Sequence, residues 1–555
     1  MEFILLPGLF FIIYSLGASA SDVVVHLENG SVRGEKMTGE RGNVFYSFRS
    51  IPYAEPPVGN LRFKPPVPKR PWKEEIDATK EAPMCSQRHI LINQYTGKED
   101  CLYLNVYTPK IPENNDGTKL DVLFHIHGGG FKLCDGGSSL FGPFRMPLDE
   151  MIMVSPNYRL GPLGFLSTND SSSPGNYGLL DQVEALRWVR NNIHHFGGDP
   201  DRVTILGVSA GGASVIYQML SPLSEGLFQR AVSMSGSPLN PWGLQKDPVY
   251  WATRLAKDVN CPIETSEEMV ACLRGKTAEE LIAKGDHKIM HSDIFPFAPT
   301  VDGYFIEDHP LDILKEGKYN KNVPLIMGAT RDEGNCWFLM GRKGSTKDYT
   351  EDEILDTLKT SVDLRPNIDD VIERVKDKYF SNLNSYNYEE VEKLLGKAIT
   401  DGMFHSGIYQ TVKLMVEADT ETYFYRYDFE MVNPFFEALL KTSGNYGVCH
   451  GIDITMLFKG TLMAFPLPDP ESEKMMKIYQ KLMLNFINRG NPTITKDDDI
   501  CEWPAAQPNK LHQYHIDKQC SVDVYDETKD EMYTFWTQEI PHLYSKNKLS
   551  HKEEL

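Results

Sequence analysis

The sequence predicts an α/β fold: a large, mostly parallel central sheet flanked by helices. Three observations carry this. Short apolar runs of strand character (Met151–Tyr158, Val203–Leu206, Ala231–Ser235) alternate with segments of helical periodicity, and near-continuous apolar strands belong to a sheet covered on both faces. The Val203 run ends in Gly207-Val208-Ser209-Ala210-Gly211 and passes directly into an apolar helical segment, a strand–turn–helix with G-x-S-x-G at the bend. The 555 residues contain no repeat, low-complexity tract or Pro/Ser-rich linker, so one large domain with insertions is expected.

Charge narrows the function. Lys+Arg 57 against Asp+Glu 77 gives −20, which argues against nucleic acid or an anionic membrane as partner. At the N-terminus, the apolar run Phe3–Leu16 precedes Gly17-Ala18-Ser19-Ala20, a signal peptide over 1–20 with cleavage before Ser21. No Lys or Arg precedes the run, so an uncleaved anchor is the alternative. No later segment approaches the ~20 apolar residues of a bilayer span. The secretory route makes disulfides available to nine cysteines, an odd count that leaves at least one unpaired. Asn29 and Asn169 match the glycan acceptor pattern. Residues 546–555 form a tail ending Lys552-Glu553-Glu554-Leu555, one conservative change from a retention signal. Retention in the endoplasmic reticulum is expected, with secretion the alternative.

Within 21–545 the elements follow in order. Val23–Arg33 alternates as a hairpin, and the Pro/Gly-rich Tyr46–Pro68 should wrap the surface. Strands begin at Glu99–Tyr107 and run over Asp121–His127, Met151–Tyr158 and Ala231–Ser235. Leu179, Leu180, Val183, Leu186, Val189 and Ile193 recur at helical spacing, and Gly197-Gly198 stops that helix. Val323–Gly328 is a strand, 350–420 is helical, Tyr423–Phe429 alternates as a strand, 443–451 is a loop, and Lys474–Phe486 is an amphipathic helix. Cys85 with Cys101, and Cys261 with Cys272, each bracket a short loop.

The bend at Ser209 sets the chemistry. A serine in a strained turn, at the positive end of a helix, is a nucleophile awaiting a base. Gly128-Gly129-Gly130, after the Asp121 strand, leaves backbone N–H groups unshielded, as an oxyanion requires. In hydrolases of this build the acid and the histidine follow the serine on later loops. Among the later histidines, His450 sits in a glycine-flanked loop, whereas His405 falls in a helical pattern and is expected to pack or face solvent. The loop after the Val323 strand offers Asp332 and Glu333, which spacing does not separate.

Glu99-Asp100-Cys101-Leu102-Tyr103-Leu104-Asn105-Val106, His127-Gly128-Gly129-Gly130-Phe131, Phe196-Gly197-Gly198-Asp199-Pro200, Gly207-Val208-Ser209-Ala210-Gly211-Gly212 and Asp332-Glu333-Gly334 together resemble the type-B carboxylesterase/lipase family. The resemblance runs from about residue 24 to about residue 540. It implies an α/β-hydrolase fold whose insertions form an active-site gorge. It further implies Ser209 as nucleophile, Glu333 as acid, and His450, in Gly447-x-x-His450-x-x-Asp453, as base. The oxyanion hole would be the N–H groups of Gly129, Gly130 and Ala210, the disulfides Cys85–Cys101 and Cys261–Cys272, and the acyl pocket would include Trp242. A core aromatic is the other reading of that tryptophan. Cys134, Cys336, Cys449, Cys501 and Cys520 receive no partner from the resemblance, although Cys501 and Cys520 are candidates for one another.

The expected activity is hydrolysis of small to medium apolar carboxylic esters through an acyl-enzyme, with small-molecule substrates and no metal or organic cofactor. The loop Ser86–Asp100 lacks the tryptophan that a cholinesterase of the family places there, which argues against choline esters. Val208 stands where hormone esterases commonly carry Gln. A lipase or hormone esterase is the alternative; a non-catalytic adhesion member is disfavoured by the complete set of site residues.

Overall fold

The computed structural model describes residues 23–543, apart from 91, 113–118, 286–294, 337–346, 362–368, 382, 384–386, 441–445, 462–466, 468 and 495–498. The expected signal peptide over 1–20 and the expected tail over 546–555 lie outside the described residues.

Twelve strands form the spine: β1 (Val23–Leu27), β2 (Gly30–Thr38), β3 (Val44–Pro52), β4 (Tyr103–Thr108), β5 (Leu120–Ile126), β6 (Met151–Pro156), β7 (Gly198–Val208), β8 (Arg230–Met234), β9 (Leu325–Thr330), β10 (Thr422–Tyr427), β11 (Leu511–Ile516) and β12 (Ser521–Tyr525). Their order is β1-β2-β3-β4-β6-β5-β7-β8-β9-β10-β11-β12. Every pairing from β6 through β11 is parallel, and the outer pairings are antiparallel. The large, mostly parallel sheet flanked by helices is therefore present.

Alternation explains why the central strands are apolar throughout. On β5, Val122, Phe124 and Ile126 join one core cluster and Leu123 the other; on β7, Val203 and Ile205 oppose Leu206 and Val208. Helices α1 (Tyr177–Asn192) and α2 (Ala210–Leu220) cover the first face, with Leu179, Val183, Leu186, Ala213 and Ile216 in its core. Further along come α3 (Tyr388–Ile399) and α4 (Ser406–Glu417). Helix α5 (Pro470–Arg489) covers the second face through Met475, Tyr479, Leu482, Met483 and Phe486. At ~25 cal/mol per Å² of apolar surface removed from water, these two layers are the main stabilisation of the fold.

Some expectations change. Tyr46–Pro68 does not simply wrap the surface: its start belongs to β3, where Phe45, Phe48 and Ile51 are wholly buried. Proline density is confined to the part after Ile51, and Pro52 closes the strand, where a missing N–H is tolerated. The Cys261–Cys272 segment is more than a loop, since Cys272 lies within the helix Ser266–Arg274. Disulfides join Cys85 to Cys101, Cys261 to Cys272, Cys336 to Cys449 and Cys501 to Cys520, and Cys134 is a free thiol. Asn169 is exposed, whereas Asn29 is half-buried and donates its amide N–H to the Lys69 carbonyl at 3.4 Å. Among the described residues, no helix is long and apolar enough to cross a membrane.

Candidate active site

The parallel strands β5, β7, β8 and β9 end side by side, and their C-terminal loops converge as ligand-binding loops of α/β sheets do. β7 stops at Val208, and Ser209 turns the chain into α2 with φ 61° and ψ −125°. That backbone conformation costs about 1–3 kcal/mol for a residue with a Cβ. It is held by the Ser209 N–H, which donates to the Met234 carbonyl at 2.8 Å, and by the Ala213 N–H, which donates back to the Ser209 carbonyl at 2.9 Å. The close crossing of α2 over β5 demands glycine at 211, where a Cβ would stand 2.2 Å from the Ile126 carbonyl oxygen.

The glycine run lies against this turn. A Cβ on Gly128 would meet the Val208 carbonyl oxygen at 2.5 Å and the Ser209 Cβ at 3.2 Å. Its entry is pinned by His127, a buried ring stacked 4.3 Å from Tyr158. Burial pushes that imidazole down to about 4, so the ring is neutral. Because a carbonyl only accepts, its proton sits on Nδ1 and donates to Gly128 at 2.8 Å. Gly129 and Gly130 then adopt φ 110° and 61°. No protein acceptor takes their N–H groups, or that of Ala210 at the start of α2, among the described residues.

After β9 the chain turns through Asp332 and Glu333, and the two adjacent carboxylates part. Glu333 points inward without exposed surface. Its Oε1 accepts the Thr330 N–H at 2.7 Å and the Ser235 O–H at 2.5 Å, and its Oε2 faces His450 Nδ1 at 2.5 Å. Burial pushes the carboxyl up, but the His450 charge and the hydrogen bonds from His450 and Ser235 outweigh it, leaving Glu333 below its ordinary value. An ionised acceptor at Nδ1 calls for a proton on that ring nitrogen, which leaves Nε2 as the atom that can take up a proton. Asp332 instead grips the histidine loop: its N–H donates to the Val448 carbonyl and its Oδ2 accepts the Val448 N–H, both at 2.9 Å.

An aromatic wall flanks the histidine. Between α3 and α4 the helix widens into a π turn, Thr400–His405, a feature often found at functional sites. On one side this turn holds the acid: the Gly334 N–H donates to Thr400 Oγ1 at 2.9 Å, and His405 Nε2 donates to the Thr330 carbonyl at 2.9 Å. On the other side the Met403 carbonyl accepts the Trp242 indole N–H at 2.8 Å. Phe404 sits between, its ring 4.7 Å from His450 and 5.8 Å from Trp242. Trp242 is thus a buried aromatic one ring removed from His450, and His405 is a packing residue stacked on Tyr409. Beside Gly130 a small cleft is lined by Pro162, Ile282, Phe295 and Phe297 together with Arg88 and Lys132.

Sequence reasoning did not single out Ser235 or Phe404. Ser235 follows β8 at φ 53°, a turn position with no motif around it. Phe404 lies in a stretch that reads as ordinary helix, and nothing in Asp401-Gly402-Met403-Phe404-His405 announces a wider turn.

The profile of the carboxylesterase family matches residues 21–536. Venom carboxylesterase-6 of Apis mellifera is 33% identical over 513 residues, covering 86% of this chain and 87% of that protein. A carboxylic ester hydrolase of Bombus ignitus is 34% identical, over 94% of this chain and 95% of that protein. Juvenile hormone esterase of Tribolium castaneum is 33% identical, over 85% and 84%.

Proposed function

The chain belongs to the carboxylesterase family and is a carboxylic ester hydrolase, and from that premise we propose that it hydrolyses small to medium apolar esters through Ser209, His450 and Glu333. His450 Nε2 removes the Ser209 proton as Oγ attacks the ester carbonyl, forming the tetrahedral intermediate. Its oxyanion is held by the N–H groups of Gly129, Gly130 and Ala210, each worth about 3–4 kcal/mol. Glu333 fixes the Nδ1–H tautomer and stabilises the imidazolium. Nε2–H then protonates the departing alcohol, and water, deprotonated in turn by Nε2, releases the carboxylic acid from Ser209.

The observation that carries this reading is the Glu333 Oε2–His450 Nδ1 hydrogen bond at 2.5 Å, taken with the serine at φ 61° on the turn after β7 and the N–H groups of Gly129, Gly130 and Ala210, which meet no protein acceptor among the described residues. The mostly apolar lining of the cleft beside Gly130, with Phe404 against the histidine and Trp242 behind it, supports an apolar ester. The test is Ser209→Ala assayed on p-nitrophenyl esters of rising acyl length, with an acylcholine as control. Turnover falls roughly 10⁴–10⁶-fold in a folded variant, and near-normal turnover overturns the assignment.

Four disulfides suit the oxidising secretory route. Retention by the Lys552-Glu553-Glu554-Leu555 end belongs to the same proposal. It is tested by the glycans at Asn29 and Asn169: high-mannose chains on cell-bound enzyme support retention, and complex chains on enzyme in the medium refute it.

A further inference from the structure

Glu333 and His450 meet across 117 positions of sequence, so their geometry depends on whatever binds the two turns together. Gly447 and Gly451 bracket the histidine loop at φ 60° and 77°, conformations that glycine adopts without strain and that put no side chain there to anchor the loop. Against this stand the Asp332–Val448 hydrogen bonds and one from the Asn335 side chain to the Tyr446 carbonyl at 3.1 Å. One covalent tie adds to them. The Cys336–Cys449 disulfide links the third residue beyond Glu333 to the residue immediately before His450, with Cα atoms 5.5 Å apart across 113 positions. Both cysteines are buried, and the Cys336 sulfur lies 3.7 Å from the His450 carbonyl oxygen. The other disulfides close local loops of 16, 11 and 19 positions and join neither turn.

We infer that the Cys336–Cys449 bond is a positioning cross-link of the catalytic pair, holding the Glu333 turn against the His450 loop so that Oε2 and Nδ1 stay in hydrogen-bond register. It rests on the assignment of Ser209, Glu333 and His450 made above. A catalytic constellation tolerates displacement of only about 0.5 Å, and the bond is attached one residue from the ring that must not move. A cross-link that merely restricted the unfolded chain would raise thermal stability and leave the chemistry alone. The two roles therefore differ in what is measured.

The experiment compares full-length wild type, Cys336→Ala/Cys449→Ala, and Cys501→Ala/Cys520→Ala as a control lacking a disulfide elsewhere. Each is read by melting temperature, by kcat and KM on a p-nitrophenyl ester, and by the pH profile of kcat/KM. The first pair loses about ten- to a hundredfold in kcat with KM within about twofold. Its pH profile departs from that of the wild type, because Oε2 and Nδ1 no longer hold a fixed register. The control melts earlier with kcat and profile unchanged. A second version, Cys336→Val/Cys449→Ala, refills the sulfur volume and must show the same kcat loss; wild-type kcat there assigns the alanine result to packing and overturns the inference. Wild-type kcat and pH profile in the first pair, whatever its melting temperature, overturn it as well. Ser209→Ala run alongside separates the layers: retained turnover refutes the underlying assignment, whereas Ser209-dependent turnover with unaffected cysteine pairs refutes the cross-link alone.

Discussion

The turn after β9 and the 3-10 turn after His450 each bury a carboxyl group without exposed surface, Glu333 in the first and Asp453 in the second. Burial pushes both upward. At Glu333 the opposite charge of His450, hydrogen bonds from His450 and Ser235, and the charge of His405 overcome it, and the group is held below 4.5. At Asp453 little does. Its Oδ2 accepts one long hydrogen bond from Tyr425 at 3.3 Å, and its Oδ1 accepts none among the described residues. Burial and then the negative charge of Glu333 drive it up to about 7. The difference teaches that donors, not depth, decide which buried acid is charged. It also leaves Glu333 as the ionised partner of the imidazole, with Asp453 close by and about half protonated at pH 7.

The strongest way to break this contrast is to remove the charge where it is held. Glu333→Gln presents an amide to three hydrogen-bond donors and no longer selects the Nδ1–H tautomer. The expected loss is about 10⁴-fold in kcat with a small change in KM, by analogy with carboxylate-to-amide replacement in serine proteases. Steady-state ester hydrolysis checks it, and a loss under about tenfold would mean that the Glu333 charge is dispensable.

Asp453→Asn probes the other half, and the sign can be worked out. The folded value of Asp453, about 7, lies above the ordinary aspartate value of 3.8. The folded state therefore binds the extra proton between those values, and wild-type stability falls as pH rises from about 4 to about 7. The full loss is at most about 4 kcal/mol. Asparagine does not titrate, so the variant gains on wild type between pH 5 and pH 8 in urea unfolding. A gap independent of pH would show that Asp453 is ionised throughout. Glu333 runs the opposite way: its lowered value adds stability above 4.5 that is lost as pH falls through the folded value.

This contrast also marks how far the sequence could be read. The bend at Ser209 was legible because a strand, a glycine pair and a helix must all occur there together. The histidine was legible because glycines flank it. Asp332 and Glu333 were not separable by spacing, since their difference is which way a four-residue turn rolls: Asp332 to the Val448 backbone, Glu333 inward to the ring. The strand β11 passed unread because His512, Gln513 and His515 interrupt its apolar pattern, although the fold buries Gln513 and His515. Cys336 and Cys449 lie 113 positions apart, so local spacing carries no signal for their bond. The protonation of Asp453 depends on a missing donor, which no motif records.

The smallest expected effect sharpens the contrast most finely. Ser235 supplies one of the donors to Glu333, an O–H at 2.5 Å on Oε1, and it does not contact the histidine in any described hydrogen bond. If donors keep Glu333 ionised, Ser235→Ala moves Glu333 a step towards the condition of Asp453 without altering the imidazole. A hydrogen bond to a charged group contributes about 1.5–3 kcal/mol, so the variant should be destabilised within that range at pH 7. The deficit should shrink as pH falls, because a protonated carboxyl needs the donor less. Melting curves at pH 7 and at a series of values falling below 4.5 measure this directly: a deficit that never shrinks would mean that Ser235 serves packing, and that the Glu333 charge is held without it.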